Sequence, residues 1–197
     1  MSTTTLTGGG VAAVRAYFEE LQALLDRIDP APVAAAIRAL HDARLHGRQV
    51  FVMGNGGSAS TASHAACDLA KNTSGSGWPL FKVFGLADNT ALFSALSNDY
   101  GYENVFVRQL EPLLAAGDVV IAISTSGNSP NVLRAAKLAR ERGALVVGLT
   151  GFDGGQLGDL SDLNLHIPSD CIEQVEDVHL MLEHLIVKNL REMPLAR

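Results

Sequence analysis

The chain has 197 residues, 47% of them hydrophobic and 18% charged, with a formal net charge of −6. That length and apolar share suit one soluble globular domain with a sizeable core. The acidic balance argues against a general nucleic-acid surface, no apolar run is long enough to span a membrane, and no basic-plus-apolar signal segment opens the chain, so neither a nucleic-acid nor a membrane partner is expected.

In chain order, residues 1–10 are rich in Thr and Gly and are expected to be a flexible N-terminus, with 11–197 forming a single domain. Val11, Val14, Phe18, Leu21, Leu25 and Ile28 recur at intervals of three and four. That is a heptad seam on a first helix, ended by Pro30. An alanine-rich second helix follows over 30–46, stopped by Gly47. Then the patterning predicts a strand at 49–53, a helix at 59–71, a strand at 80–86, a short helix at 88–97, a helix at 103–115, a strand at 118–123, a helix at 130–142, strands at 144–149 and 163–167, and a last helix at 172–192. Residues 151–158 read as a flexible glycine-rich loop. Strands alternating with helices predict an α/β fold with a parallel sheet covered on both faces. Two cysteines, Cys67 and Cys171, suit a reducing cytoplasm and are read as small buried hydrophobes rather than as a disulfide or zinc ligands.

Two loops carry the chemistry. After the apolar run Val119–Ile123 comes Ser124-Thr125-Ser126-Gly127-Asn128-Ser129-Pro130. Ser129 suits an N-cap and Pro130 the first helical position, so hydroxyls and free N–H groups crowd a helix N-terminus. Such an end binds a dianionic phosphate without a lysine. Upstream, the strand 49–53 runs into Gly54-Asn55-Gly56-Gly57-Ser58-Ala59. The spacing also fits the G-x-G-x-x-A dinucleotide fingerprint, for which Asp88 would be a loose acidic partner. Two hydroxylated loops fit a small phosphorylated ligand better, and a nicotinamide-dependent oxidoreductase is the distant reading. Ligands of such sheets sit beyond the strand C-termini, where both loops fall.

Together with Ser97-Asn98-Asp99, these motifs resemble the SIS (sugar isomerase) domain family and, more narrowly, the phosphoheptose isomerases, which isomerise sedoheptulose 7-phosphate. The resemblance runs over nearly the whole chain. It implies a three-layer αβα sandwich with a five-stranded parallel, flavodoxin-like sheet plus N-terminal helices. It implies phosphate on Ser58, Ser124, Thr125, Ser126 and Ser129, and substrate contacts from Asn55, Gly56, Gly57, Asn98, Asp99 and Glu176. Proton exchange would fall to Asp68 and His184, with zinc as a possible electrophile held by His64, Asp68, Glu176 and His184. It also implies a homotetramer with sites at subunit interfaces.

Two positions depart from the family pattern. The family has Glu where Asp68 stands and Gln where Glu176 stands, with Gln174 an alternative only if the register slips. The shorter acid withdraws a base by roughly 1–1.5 Å, on the order of 100-fold in rate if nothing adjusts. The extra charge at Glu176 favours a cation. Glu176 and His184 are separated by about 12 Å of helical rise, so either Glu176 precedes the regular helix or the site draws on two chains. His179 and Glu183 are read as ordinary helix side chains. Against the enzyme stands a non-catalytic, protein-binding SIS module resembling replication-initiator-associating proteins, which lack the acid–base pair. The acid at 68 and the imidazole at 184 favour the enzyme.

Overall fold

The computed structural model describes residues 10–75 and 77–194, so the expected flexible N-terminus lies outside the described residues except for Gly10. Helices α1 (Val11–Leu25) and α2 (Pro30–Leu45) precede β1 (Gln49–Met53) and α3 (Gly57–Lys71). Then come β2 (Lys82–Gly85), α4 (Thr90–Tyr100), a 3-10 turn at Tyr102–Asn104, α5 (Val105–Leu110) and β3 (Val119–Ser124). The chain closes with α6 (Pro130–Glu141), β4 (Leu145–Thr150), α7 (Gly155–Leu160), β5 (Leu163–His166) and α8 (Ile172–Glu192).

The five strands form one parallel sheet in the order β2-β1-β3-β4-β5. That is the doubly wound, flavodoxin-like order, with the crossover reversing between β1 and β3. Side chains alternate across β3: Val119, Ile121 and Ile123 face one core, Val120 and Ala122 the other. The first core takes α2, α3 and α8, with the end of α1; the second takes α5, α6 and α7. The three-layer sandwich is therefore as expected. β3 is buried at every position, as a central parallel strand must be.

Local chemistry sets the helix starts. The Asp29 side chain accepts the Ala31 N–H at 2.9 Å beside Pro30, and Asn89 accepts the Leu92 N–H at 3.1 Å. Four expectations need correction. The first helix ends at Leu25, and Ile28 lies in the turn that follows. Residues 103–115 are not one helix but a 3-10 turn, α5 and a run of turns. Asn98 and Asp99 lie inside α4 rather than after it. The glycine-rich segment 151–158 contains the start of α7, held by the buried Leu157, whose N–H donates to the Gly127 carbonyl at 2.9 Å. Its glycines hid the helix because only Leu157 and Leu160 carry an apolar signal. Cys67 is exposed and Cys171 half-buried, both as free thiols, because the buried face of α3 runs through Ala62, Ala65, Ala66 and Leu69 and leaves Cys67 on the other side.

Candidate active site

The loops after β1 and β3 lie side by side at the C-terminal edge of the sheet, as the adjacency of their strands requires. At the caps of α3 and α6, Gly56 and Ser129, no side-chain oxygen accepts a helix N–H. Ser129 is the N-cap residue as expected, but its hydroxyl instead takes a hydrogen bond from Ser124 Oγ at 3.1 Å. Two helix N-termini thus keep N–H groups and hydroxyls for an anion. Ser126 is exposed and its Oγ accepts the Asn128 N–H at 3.2 Å, while Ser124 and Ser58 are buried and Thr125 is half-buried. The β3 loop is tied to its neighbour: the Gly151 N–H donates to the Thr125 carbonyl and the Gln156 N–H to Asn128 Oδ1.

Asn55 is held in a reciprocal amide pair with Asn131 at 2.9 and 2.8 Å, and its Oδ1 also takes the Tyr102 hydroxyl at 2.8 Å. Its carbonyl is committed to the protein, which leaves one N–H for a sugar. Asn98 and Asp99 are exposed, and Asn98 Nδ2 donates to Asp99 Oδ1 at 2.8 Å. Asp88, the loose dinucleotide partner, takes the Ser63 hydroxyl and so ties β2's exit to α3.

The packing of α3 on α8 assembles a second constellation. His64 and Asp68 are one turn apart on α3, with His64 Nε2 at 3.5 Å from Asp68 Oδ2. His184 Nε2 lies 3.3 Å from His64 Nε2, and 3.5 Å from Glu183 Oε2. One donor atom from each of His64, Asp68, Glu183 and His184 falls within 4.8 Å of all the others. The two imidazoles are exposed, and with Asp68 they line a cleft that also carries Asn72, Lys188 and Arg191. Burial, and then the charge of Asp68, push the Glu183 carboxyl up to about 7.

Three of the four expected metal ligands, His64, Asp68 and His184, are therefore brought together; Glu176 is not. It sits two turns up α8, with its carboxylate over Gly57 at the start of α3, where a methyl would fall 2.5 Å from both oxygens. The rise along α8 separates it from His184, and Glu183 stands at the cluster in its place. Gln174 is also out of reach: its amide donates to Glu20 Oε2 and accepts from Ser169 Oγ, each at 2.9 Å. His179 is a buried core residue bonded to the Thr150 carbonyl, as expected. Glu183 is the residue that sequence reasoning missed. The signal was present: an acid lies on the apolar stripe of Val175, Val178, Leu182, Ile186 and Leu190.

The fold, the two hydroxylated loops and the acid–imidazole cleft define a sugar-phosphate isomerase of the SIS class. The SIS domain family matches residues 16–151. The chain is 39% identical over 182 residues to a phosphoheptose isomerase of Geobacter sp. (strain M21), covering 89% of this chain and 90% of the relative. It is 41% identical over 157 residues to that of Aliarcobacter butzleri, covering 79% and 82%. The solved phosphoheptose isomerase of Neisseria gonorrhoeae superposes with a TM-score of 0.83 at 32% identity, covering 91% of this chain and 97% of that one. This chain belongs to the phosphoheptose isomerase family.

Proposed function

We propose that this protein interconverts sedoheptulose 7-phosphate and an aldose heptose 7-phosphate, with Asp68 and His184 moving the protons. The observation that carries the reading is the convergence of Asp68, His64 and His184 in one cleft. The uncapped starts of α3 and α6 support a phosphate site. There the hydroxyls of Ser58, Ser124, Thr125, Ser126 and Ser129 and the free N–H groups hold the phosphate dianion, and Asn55, Asn98 and Asp99 meet sugar hydroxyls. In the ketose-to-aldose direction the carboxylate takes a proton from C1, leaving an enediol. A proton is returned to C2, the C2 carbonyl becomes a hydroxyl, and the C1 hydroxyl becomes the aldehyde. Both groups lie in a cleft bordered by Lys188 and Arg191, whose charges favour a developing enediolate oxygen.

The cluster also fits a divalent ion, because two imidazoles and a carboxylate meet there beside a buried carboxyl without a hydrogen-bond partner. His64, Asp68 and His184 would hold it, with zinc favoured by the nitrogen–oxygen donor set. When bound, such an ion polarises the substrate carbonyl. A ligating carboxylate or imidazole keeps a second oxygen or nitrogen for a proton.

We further propose a homotetramer with shared sites, working in the cytoplasm as its two free thiols suit. Ser58 and Asp68 are about 15 Å apart along α3. In an extended seven-carbon sugar, phosphorus and C2 are about 9 Å apart at ordinary bond lengths. Contacts of about 3 Å at each end bring that length to the helical spacing, so the tetramer rests instead on the apolar residues Val11, Val14 and Phe18 that α1 leaves exposed. No helix among the described residues is long and apolar enough to cross a membrane.

The test is NMR of sedoheptulose 7-phosphate in D2O. Wild type should place solvent deuterium on the sugar and form aldose. Asp68→Asn should stop both, by 1000-fold or so, while calorimetric binding of the sugar phosphate persists. Exchange at the wild-type rate in Asp68→Asn would remove Asp68 from the chemistry, and its absence in wild type would refute the isomerase.

A further inference from the structure

Gly101, at φ +83°, ends α4 just past Asn98 and Asp99, and Tyr102 opens the 3-10 turn. The Tyr102 ring packs edge-on to Phe93 with centroids 5.9 Å apart. The turn is pinned to α6 by Arg134 Nη1, which donates to Asn104 Oδ1 at 2.7 Å. Ring and turn together bring the hydroxyl to the loop after β1, where it meets Asn55 Oδ1 at 2.8 Å. Tyr102 is nonetheless 49% exposed, so this hydroxyl belongs to the surface of the site and not to its core.

The direction of every hydrogen bond here is fixed from one end. Asn131 is 1% exposed, and its Oδ1 accepts the Val132 N–H at 3.0 Å. A backbone N–H only donates, so the atom that meets it is the amide oxygen, and the other is the nitrogen. Asn131 Nδ2 must then face an acceptor, and it donates to Asn55 Oδ1, while Asn55 Nδ2 donates back to Asn131 Oδ1. Tyr102 therefore meets an oxygen and gives its only proton there. Its own oxygen keeps its lone pairs, and no group among the described residues donates to them.

We infer that Tyr102 is a substrate-binding residue, whose hydroxyl oxygen accepts a hydrogen bond from a hydroxyl of the sugar chain. This rests on the sugar-phosphate reading above and adds a specificity element to it. Asn55 offers the sugar an N–H, and Tyr102 offers an acceptor that cannot turn into a donor. A ligand oxygen without a hydrogen, such as a keto or carboxylate oxygen, would meet lone pairs at Tyr102, so the subsite selects a polyhydroxy chain. Asn131 acts through Asn55 and is a positioning residue.

The experiment is calorimetry in an Asp68→Asn background, where the sugar is bound without turnover, with sedoheptulose 7-phosphate and with inorganic phosphate. Tyr102→Phe should weaken the sugar phosphate roughly 10-fold and leave inorganic phosphate at its original affinity. With Asp68 intact, Tyr102→Phe should raise KM more than it lowers kcat. The loss should persist when Asn55→Ala is added, because the contact of Tyr102 with the sugar is its own. Equal loss for both ligands would make Tyr102 a support of the loop. A loss that vanishes beside Asn55→Ala would make it a positioning residue only, and an unchanged sugar affinity would show that no hydroxyl binds there. Each of these overturns the inference and leaves the isomerase reading standing. Sedoheptulose 7-phosphate binding no tighter than inorganic phosphate, in this background and in wild type, would remove the substrate reading and the inference with it.

Discussion

His179 and Glu183 lie one turn apart on the buried stripe of α8 and show how burial acts on opposite charges. Desolvation raises the acid and lowers the base. His179 is held down to about 4 from its ordinary 6.5, chiefly by burial, although its bond to the Thr150 carbonyl works the other way. It stays neutral in the fold at pH values where the unfolded chain takes up a proton. Stability linked to His179 is therefore full above pH 6.5 and drains away as pH falls towards 4. Across that window the unfolded state binds about one more proton, a slope of about 1.4 kcal/mol per pH unit. Glu183, held up to about 7, takes up a proton in the fold over much of the same window and works against this slope, so urea denaturation from pH 7 to 4 should show the His179 term as the difference in slope between wild type and His179→Gln. Equal slopes would mean that the ring is protonated in the native state.

At the scale of elements, the short helix α7 secures the loop after β3. Gly127 adopts φ +65°, and a methyl there would overlap the Gly154 carbonyl oxygen and lie 2.9 Å from the Gly155 Cα. The Gly127 carbonyl in turn accepts the Leu157 N–H. Loop and helix therefore meet backbone to backbone, and only glycine allows the approach. Gly127→Ala should cost roughly 2 kcal/mol or more, from the strained dihedral and the displaced α7. It should also weaken sugar-phosphate binding in calorimetry while the α3–α8 cluster keeps its metal affinity. Wild-type stability in Gly127→Ala would show that α7 is not anchored in this way.

For the whole molecule, the apolar seam of α1 divides in two. Leu21, Leu25 and Ile28 pack on the chain's own core, whereas Val11, Val14 and Phe18 remain 74%, 50% and 63% exposed. Near its middle the helix is fixed to α8 by the Tyr17 hydroxyl, which donates to Asp177 Oδ2 at 2.6 Å. Beside it, α8 exposes Met181 and Leu185 along an apolar groove with Ile28, Pro30 and Ala34. Isolated apolar residues on a surface are ordinary, but a stripe and a groove on adjoining elements mark an association face. Phe18→Asp should dissociate the proposed tetramer, as light scattering would show, and activity should fall with it if two copies share each site. A monomeric wild type would refute the tetramer, and a Phe18→Asp variant of tetrameric mass would place the interface elsewhere.

The chain by itself determined the architecture and the two hydroxylated loops, because both are local. Strand runs, glycines and a Ser-Pro helix start are each set within a few residues. The sheet's parallel order followed from the alternation of strands and helices. His64 and Asp68 were legible as one-turn neighbours on α3, and the resemblance supplied His184. The tertiary structure alone decided which acid meets them. Helical spacing separated Glu176 from His184 but named no replacement, since the approach of α8 to α3 depends on how both helices lie on the sheet. That packing brings Glu183 to the imidazoles and leaves Glu176 at the start of α3. It also buried one half of the α1 seam and exposed the other, a distinction absent from a periodic pattern because both halves are apolar at the same spacing.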